Sequence, residues 1–181
     1  MRRIMVVGSS GAGKTTMAMA LAERFELTHI ELDELYHLAG WTPRERSDFR
    51  RAVAEAMARA SDGWVMCGDY DSAIGELRLA AADTVVWLDY SRLVVTRRVV
   101  LRTLRRAITR EELWNGNREP LANFYRWDPE RNVIRWSWTH FREKRSRYER
   151  SLAGDWATLN VFRFTTPRSA AAWLGSLPQL G

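Results

Sequence analysis

The sequence predicts one α/β domain built on an open parallel β-sheet with helices on both faces. Three observations carry this. Short apolar runs alternate with segments of helical period, in the order β-α-β-α-β-α-β-α-α-α-β-α. Two of the runs, Trp64 to Cys67 and Thr84 to Leu88, are almost continuously apolar, as strands covered on both faces must be. A glycine-rich turn, Gly8 to Thr15, joins the first run to the first helical segment.

Arg3 to Val7 reads as the first buried strand. Lys14 to Phe25 follows as a helix, with Met17, Leu21 and Phe25 on one face. His29 to Asp33 alternates polar and apolar and reads as the second strand, with Asp33 at its end. Thr42-Pro43-Arg44-Glu45 has the form of a capping box, so a helix is expected to start there and run to Ser61-Asp62-Gly63. After Thr84 to Leu88, Ser91 is placed to cap a helix. Thr109 to Glu112 forms another box, opening a short helix that ends at Asn115-Gly116. Asp128-Pro129 is expected to open a long helix bearing Ile134, Trp138, Phe141, Tyr148 and Leu152. Leu159 to Phe164 is the fifth strand, and Thr166-Pro167 opens the last helix.

The chain has 181 residues, 46% of them hydrophobic, which suits a single core over residues 1–181. No stretch approaches the roughly 20 apolar residues of a membrane span, and Met1-Arg2-Arg3 runs into too short an apolar run for a signal peptide. A cytoplasmic protein without membrane contact is the expectation. The single cysteine, Cys67, excludes an intramolecular disulfide. The net charge of +6 invites nucleic acid as a partner. However, only Lys14 and Lys144 are lysines and every other basic side chain is arginine. That skew fits compositional bias, and an anionic small substrate accounts for the excess as well. Nucleic acid is therefore not favoured.

Gly8-Ser9-Ser10-Gly11-Ala12-Gly13-Lys14-Thr15 matches G-x-x-x-x-G-K-[ST] in full. Glycines allow the backbone to turn successive N–H groups toward a phosphate, and the following helix adds its N-terminal partial charge. Lys14 is placed for the β- and γ-phosphates, the Thr15 hydroxyl for Mg²⁺, and Thr16 lies beside them. ATP and Mg²⁺ are thus the expected ligands. No Asn-Lys-x-Asp motif accompanies the loop, which argues against a Ras-type GTPase. The length leaves little room for a motor or AAA+ ATPase. Small kinases of nucleotides and metabolites remain.

The segments GSSGAGKTT at 8–16, HIELDELYHLAGW at 29–41, WVMCGDY at 64–70, DTVVWLDYSR at 83–92 and ELWNGNREPL at 112–121 resemble the adenylate-kinase-related P-loop kinases. Among these they are most similar to the group labelled DNA topology modulation proteins. The resemblance covers residues 3–175. It implies a P-loop NTPase of the nucleoside-monophosphate-kinase kind, three layers α/β/α, a five-stranded parallel sheet in the order 2-3-1-4-5, and a helical lid after the fourth strand, over about 104–127.

Asp33 is then expected to bind the acceptor or act as general base, the alternative being a cap for the turn beyond it. Tyr36, His37 and Trp41 either line the acceptor pocket or form a packed exposed loop. The resemblance leads one to expect an Asp-Gly-Asn-Tyr after the third strand, whereas the chain has Cys67-Gly68-Asp69-Tyr70. The strand-3 carboxylate is displaced to Asp69, two positions on and so on the same side, where a water-mediated metal contact is expected. Asp89, after the apolar run Val85 to Leu88, resembles a Walker B tail, although in the fold the resemblance implies this position more often caps the helix that leads to the lid. Of the lid arginines, Arg118 and Arg110 are expected to act on the transferring phosphate and Arg106 to bind the nucleotide, with Arg102 and Arg105 as further candidates. These readings converge on an ATP-dependent kinase of an unidentified small acceptor, acting as a monomer. A nucleotide-binding regulator of DNA or a protein partner, and a slow NTPase, are the alternatives.

Overall fold

The computed structural model describes residues 1–118 and 133–178. In chain order the elements are β1 (Arg3–Gly8), α1 (Lys14–Phe25), β2 (Thr28–Glu31), α2 (Leu32–Tyr36), β3 (His37–Leu38), β4 (Thr42–Pro43), α3 (Arg46–Arg59), β5 (Trp64–Cys67), α4 (Asp71–Ala81), β6 (Thr84–Leu88), α5 (Arg92–Thr109), α6 (Val133–Thr139), α7 (Phe141–Ala153), β7 (Asn160–Phe164) and α8 (Pro167–Ser176). Five strands form one sheet in the order β2-β5-β1-β6-β7, and every pairing is parallel. The short antiparallel pair β3–β4 falls in the chain between the second and third strands of this sheet. It shifts the count, so that the expected order 2-3-1-4-5 reads 2-5-1-6-7 when all strands are numbered.

Side chains alternate across the sheet as the strand period requires. Ile4 and Val6 of β1 join Leu21, Val65, Val86, Val95 and Ala170 on one side. Met5 and Val7 join Ile30, Phe49, Val53, Met66, Ile74 and Trp87 on the other. Both faces are therefore dry, which is why these strands carry so few polar residues. On the second face Trp87, Tyr148 and Trp156 form an aromatic cluster with ring centroids 5.7, 5.8 and 6.1 Å apart. Burying each such side chain contributes about 1.5–3 kcal/mol. Trp156 thus belongs to the core, while Trp138 on α6 is 42% exposed.

Several expected boundaries and caps differ, and the second strand ends at Glu31, with Asp33 in the helix that follows rather than at the strand's end. Thr42-Pro43 does not start a helix, because it pairs with His37–Leu38 across a turn in which Gly40 and Trp41 have φ of 68° and 58°. The helix begins at Arg46, and Glu45 is the cap, accepting from the Ser47 and Asp48 N–H groups at 2.7 and 3.3 Å. Ser91 occupies the N-cap position of α5 but its side chain makes no capping bond. Thr109 opens no helix: α5 continues through it, its hydroxyl donates back to the Arg105 carbonyl, and Arg110 ends the helix at φ 50°. Between Arg110 and Arg118 the chain forms a 3-10 turn over Trp114–Gly116 and a single antiparallel bridge between Glu112 and Arg118. The long helix is two helices, α6 and α7, separated at His140. Its expected start at Asp128-Pro129 and the lid residues 119–127 lie outside the described residues. Among the described residues, no helix is long and apolar enough to cross a membrane.

Candidate functional site

β1 ends at Gly8, and the loop to Gly13 leads straight into α1. Gly13 is the N-cap, with φ 94°, and carries no side chain to satisfy the first-turn N–H groups. Such an uncapped helix start is a ready anion site. The loop is held tightly. The Ala12 N–H donates to the Ser9 carbonyl at 3.1 Å, and the Lys14 ammonium donates to the same oxygen at 3.3 Å. Gly11, at φ 82°, lies so close to α5 that a Cβ there would stand 2.5 Å from the Val95 carbonyl oxygen. α5 therefore seals one side of the loop. From one turn further along that helix, Arg98 donates to the Ala12 carbonyl at 3.2 Å and Arg102 to the Ser10 hydroxyl at 3.4 Å. Lys14, Arg98 and Arg102 thus gather at the loop. Thr15 and Thr16 are exposed in the first turn of α1.

Beside Thr15 stands a residue to which the sequence reading gives no role. Glu31 is the last residue of β2 and only 6% exposed. Its carboxylate accepts from the Thr15 hydroxyl at 2.8 Å and from the Cys67 thiol at 3.1 Å. Glu31 and Cys67 are register partners on adjacent parallel strands, which brings the two together. Burial, and then the nearby Asp33 carboxylate, push the pKa of Glu31 above the ordinary range. Burial and Glu31 also push the Cys67 thiol well up. His29 Nε2 lies 3.3 Å from the Cys67 sulfur.

Asp33 lies in the first turn of the short helix α2, just beyond the strand. It accepts a 2.7 Å hydrogen bond from the Tyr70 hydroxyl, which also sits 3.4 Å from His37 Nε2. Tyr36, His37, Trp41, Phe49 and Tyr70 pack ring against ring around it, with centroids 4.6 to 5.2 Å apart. Burial lowers the pKa of His37, against the opposing pull of the Asp33 carboxylate.

Asp69 is placed differently from the expectation. Its carboxylate is ion-paired with Lys144 at 2.6 Å and with Arg147, both from α7. Arg147 also bridges to Asp71 at 3.2 Å, and Asp71 pairs with the buried Arg78. Burial pushes the Asp69 pKa up, but Lys144 and Arg147 outweigh it and hold the group below the usual range. Asp69 thus ties the end of β5 to α7, and Glu31 is the acid that touches Thr15. Asp89 is likewise an anchor, paired with Arg163 at 2.6 Å and Arg145 at 3.2 Å, rather than a helix cap.

The Trp-Asn-Gly-Asn stretch acts through its asparagines. Asn117, 3% exposed, accepts from the Trp41 N–H at 2.8 Å and donates to the Leu38 carbonyl at 3.0 Å. Asn115 donates to the carbonyls of Glu34 and His37 at 3.0 and 2.6 Å. The segment after α5 is thereby clamped onto the loop beyond Asp33. Arg118 contributes its backbone carbonyl, which accepts from the Trp41 indole at 3.0 Å. Its guanidinium is 58% exposed and pairs with Glu112. Arg110 is an exposed helix end, while Arg105 and Arg106 pair with Glu111 at 3.0 and 4.0 Å.

Glu31, Arg98, Lys144 and Asn117 are the residues that sequence reasoning misses. Lys144 has a signal, since it is one of two lysines among many arginines. It lies 3.9 Å above the Trp136 ring and near enough to Lys14 for the two charges to interact. Arg98 sits four residues before Arg102, and that spacing places both on one helix face.

No family model matches the chain. A stretch of 67 residues is 30% identical to the uncharacterized protein YqaC of Bacillus subtilis (strain 168), covering 37% of this chain and 38% of that protein. The chain is also similar to the unliganded crystal structure of a sugar kinase from Janibacter sp. HTCC2649. The TM-score is 0.50 and the identity 19%, over 98% of this chain and 96% of that one. At that identity the likeness shows a shared α/β fold alone, and the chemistry rests on the residues described above.

Proposed function

We propose that this protein is an ATP-binding kinase that passes the γ-phosphate to a small hydroxylated or nucleotide-like acceptor. One observation carries the reading: an uncapped helix start flanked by Lys14, Arg98 and Arg102 adjoins a buried carboxylate that holds Thr15. Phosphoryl transfer is mostly positioning and charge neutralisation, and these groups supply both. The loop Gly8 to Gly13 and Thr16 bind the triphosphate as a P-loop, and Lys14 moves from the Ser9 carbonyl onto the β- and γ-phosphates.

The oxygen donors fit Mg²⁺, which prefers hydroxyl, carboxylate and water ligands. Thr15 would hold it, with Glu31 orienting Thr15 and a bound water. When bound, Mg²⁺ neutralises charge on the β- and γ-phosphate oxygens. Glu31 thus takes the role expected of a strand-3 acid, and Asp69 serves as an ion-pair anchor. Asp33, oriented by Tyr70, accepts the proton of the acceptor hydroxyl, and Tyr36, His37 and Trp41 shape the acceptor side. Arg98 and Arg102 neutralise the phosphates from α5; Arg102 is among the further candidates in the sequence, which puts Arg118, Arg110 and Arg106 first. The absent acid at Cys67 favours a nucleotide-binding regulator, and Glu31 in register with it removes that support.

Calorimetric titration with ATP tests the binding step. Loss of one charge-assisted contact costs about 1.5–3 kcal/mol, so Lys14→Ala weakens ATP binding about 10–100-fold. Equal affinity in the variant would overturn the assignment of the loop.

A further inference from the structure

His29, Glu31 and Cys67 form a cluster that a phosphate-transfer role does not use up. His29 Nε2, a Glu31 carboxylate oxygen and the Cys67 sulfur all lie within 4.8 Å of one another. The sulfur is 3.3 Å from the nitrogen and 3.1 Å from the oxygen. His29 and Glu31 are alternate residues of β2 and share a face, and Cys67 is the register partner of Glu31 on β5. Three different donor types therefore converge from two rigid, adjacent strands.

Around a tetrahedral Zn²⁺ at about 2.0–2.3 Å from each ligand, neighbouring donor atoms stand about 3.3–3.8 Å apart. The two distances from the sulfur fall short of that by up to about half an ångström, and the His29 nitrogen and the Glu31 oxygen stand within 4.8 Å of each other, so side-chain rotations bring all three donors onto one ion. A second observation points the same way. Glu31 is buried, and among the described residues it has no arginine or lysine in an ion pair, in a chain dominated by arginine. Buried carboxylates are normally paired or bound to a cation. Here the carboxylate accepts from a hydroxyl and a thiol instead, and a thiol is a weak donor.

We propose that His29, Glu31 and Cys67 form a binding site for a thiophilic divalent cation of the Zn²⁺ class. Sulfur and imidazole ligands select such ions over Mg²⁺ or Ca²⁺. The Cys67 S–H bond breaks as the metal–sulfur bond forms, and the proton passes to solvent, so one proton is released per ion and no redox partner is needed. The ion enters past the exposed Thr15, and a solvent water completes its shell. Because the ion holds Glu31, it withdraws the partner of Thr15, and bound Zn²⁺ lowers the affinity for ATP with Mg²⁺. That last consequence rests on the kinase reading, whereas the site itself does not.

The probe is Co²⁺ added to the intact chain, followed by absorption spectroscopy and Zn²⁺ competition. Cys67 is the only cysteine in the chain, so a thiolate-to-cobalt band can arise nowhere else. The expected result is one Co²⁺ per chain with that band and the intense visible bands of tetrahedral cobalt, both abolished by Zn²⁺. His29→Gln keeps the fold and weakens Zn²⁺ binding by more than the about 10–100-fold that loss of an outer-shell partner brings. Cys67→Ser removes the band, and His140→Gln changes neither. A wild-type spectrum without the thiolate band overturns the site, as does a His29→Gln affinity equal to that of the wild type. Zn²⁺ binding with the band present but unchanged ATP affinity overturns only the link to the nucleotide site.

Discussion

The Thr15 hydroxyl donates a 2.8 Å hydrogen bond to the carboxylate of Glu31. The acid sits on β2, directly beside the β5 position where a small cysteine stands. Moving the carboxylate one strand sideways keeps it on the same face of the sheet and within reach of the first turn of α1. Two substitutions separate this placement from the one expected at Asp69. Glu31→Gln is predicted to lower acceptor-dependent ADP formation about 10–100-fold, with a higher Mg²⁺ requirement, as loss of an outer-shell partner does. Asp69→Ala leaves Lys144 and Arg147 without their buried partner, and breaking such a pair costs about 3–5 kcal/mol of stability. Its Mg²⁺ dependence is predicted to stay unchanged. Steady-state rates against Mg²⁺ concentration, with denaturant unfolding of both variants, check the pair of outcomes.

The clamp between Asn117 and the loop after Asp33 gives a structural prediction. Asn117→Ala removes the acceptor of the Trp41 N–H and the donor to the Leu38 carbonyl. Leaving buried polar groups unpaired costs about 1–3 kcal/mol each. The variant is predicted to exchange its Trp41 amide hydrogen at least about tenfold faster than the wild type, with the sheet amides unaffected. Unchanged protection at Trp41 would show that the clamp does not hold the loop.

Stability should depend on pH through Glu31. Its pKa is raised in the fold, by burial first and by Asp33 second. The fold therefore favours the protonated acid. That contribution is complete below the unfolded-state pKa and is lost as pH rises through the higher folded value. Glu31→Gln does not titrate. In the absence of ligands, wild type is predicted to lose stability relative to Glu31→Gln across that window, and comparing the two cancels the histidines. Parallel stability curves from unfolding at a series of pH values would contradict the shift.

The strands and the phosphate loop are legible in the sequence because their signals are contiguous. Trp64 to Cys67 and Thr84 to Leu88 are apolar on both faces, and the run from Gly8 to Thr15 carries its own chemistry. Glu31 is not legible. Its role depends on which strand lies beside β2, and that neighbour comes 36 residues later in the chain. Arg98 is hidden because arginine is common here, and only the packing of α5 on Gly11 singles it out. The capping box at Thr42 misleads because a hairpin competes for the same residues, and Glu45 caps the helix instead. In the Trp-Asn-Gly-Asn stretch, Asn115 bonds to backbone groups 81 and 78 positions away, a relation no local pattern contains.

The kinase reading stands or falls on ADP release from ATP with Mg²⁺ across a panel of nucleoside monophosphates, nucleosides, sugars, sugar acids and other hydroxylated metabolites. Lys14→Ala serves as the control. One acceptor class is expected to raise ADP release well above the basal rate. Lys14→Ala is expected to reduce this by a factor on the order of 10²–10³, as removal of a preorganised charge-stabilising group does. A rate that stays basal with every acceptor while ATP still binds would contradict the reading and leave a nucleotide-binding regulator as the better one.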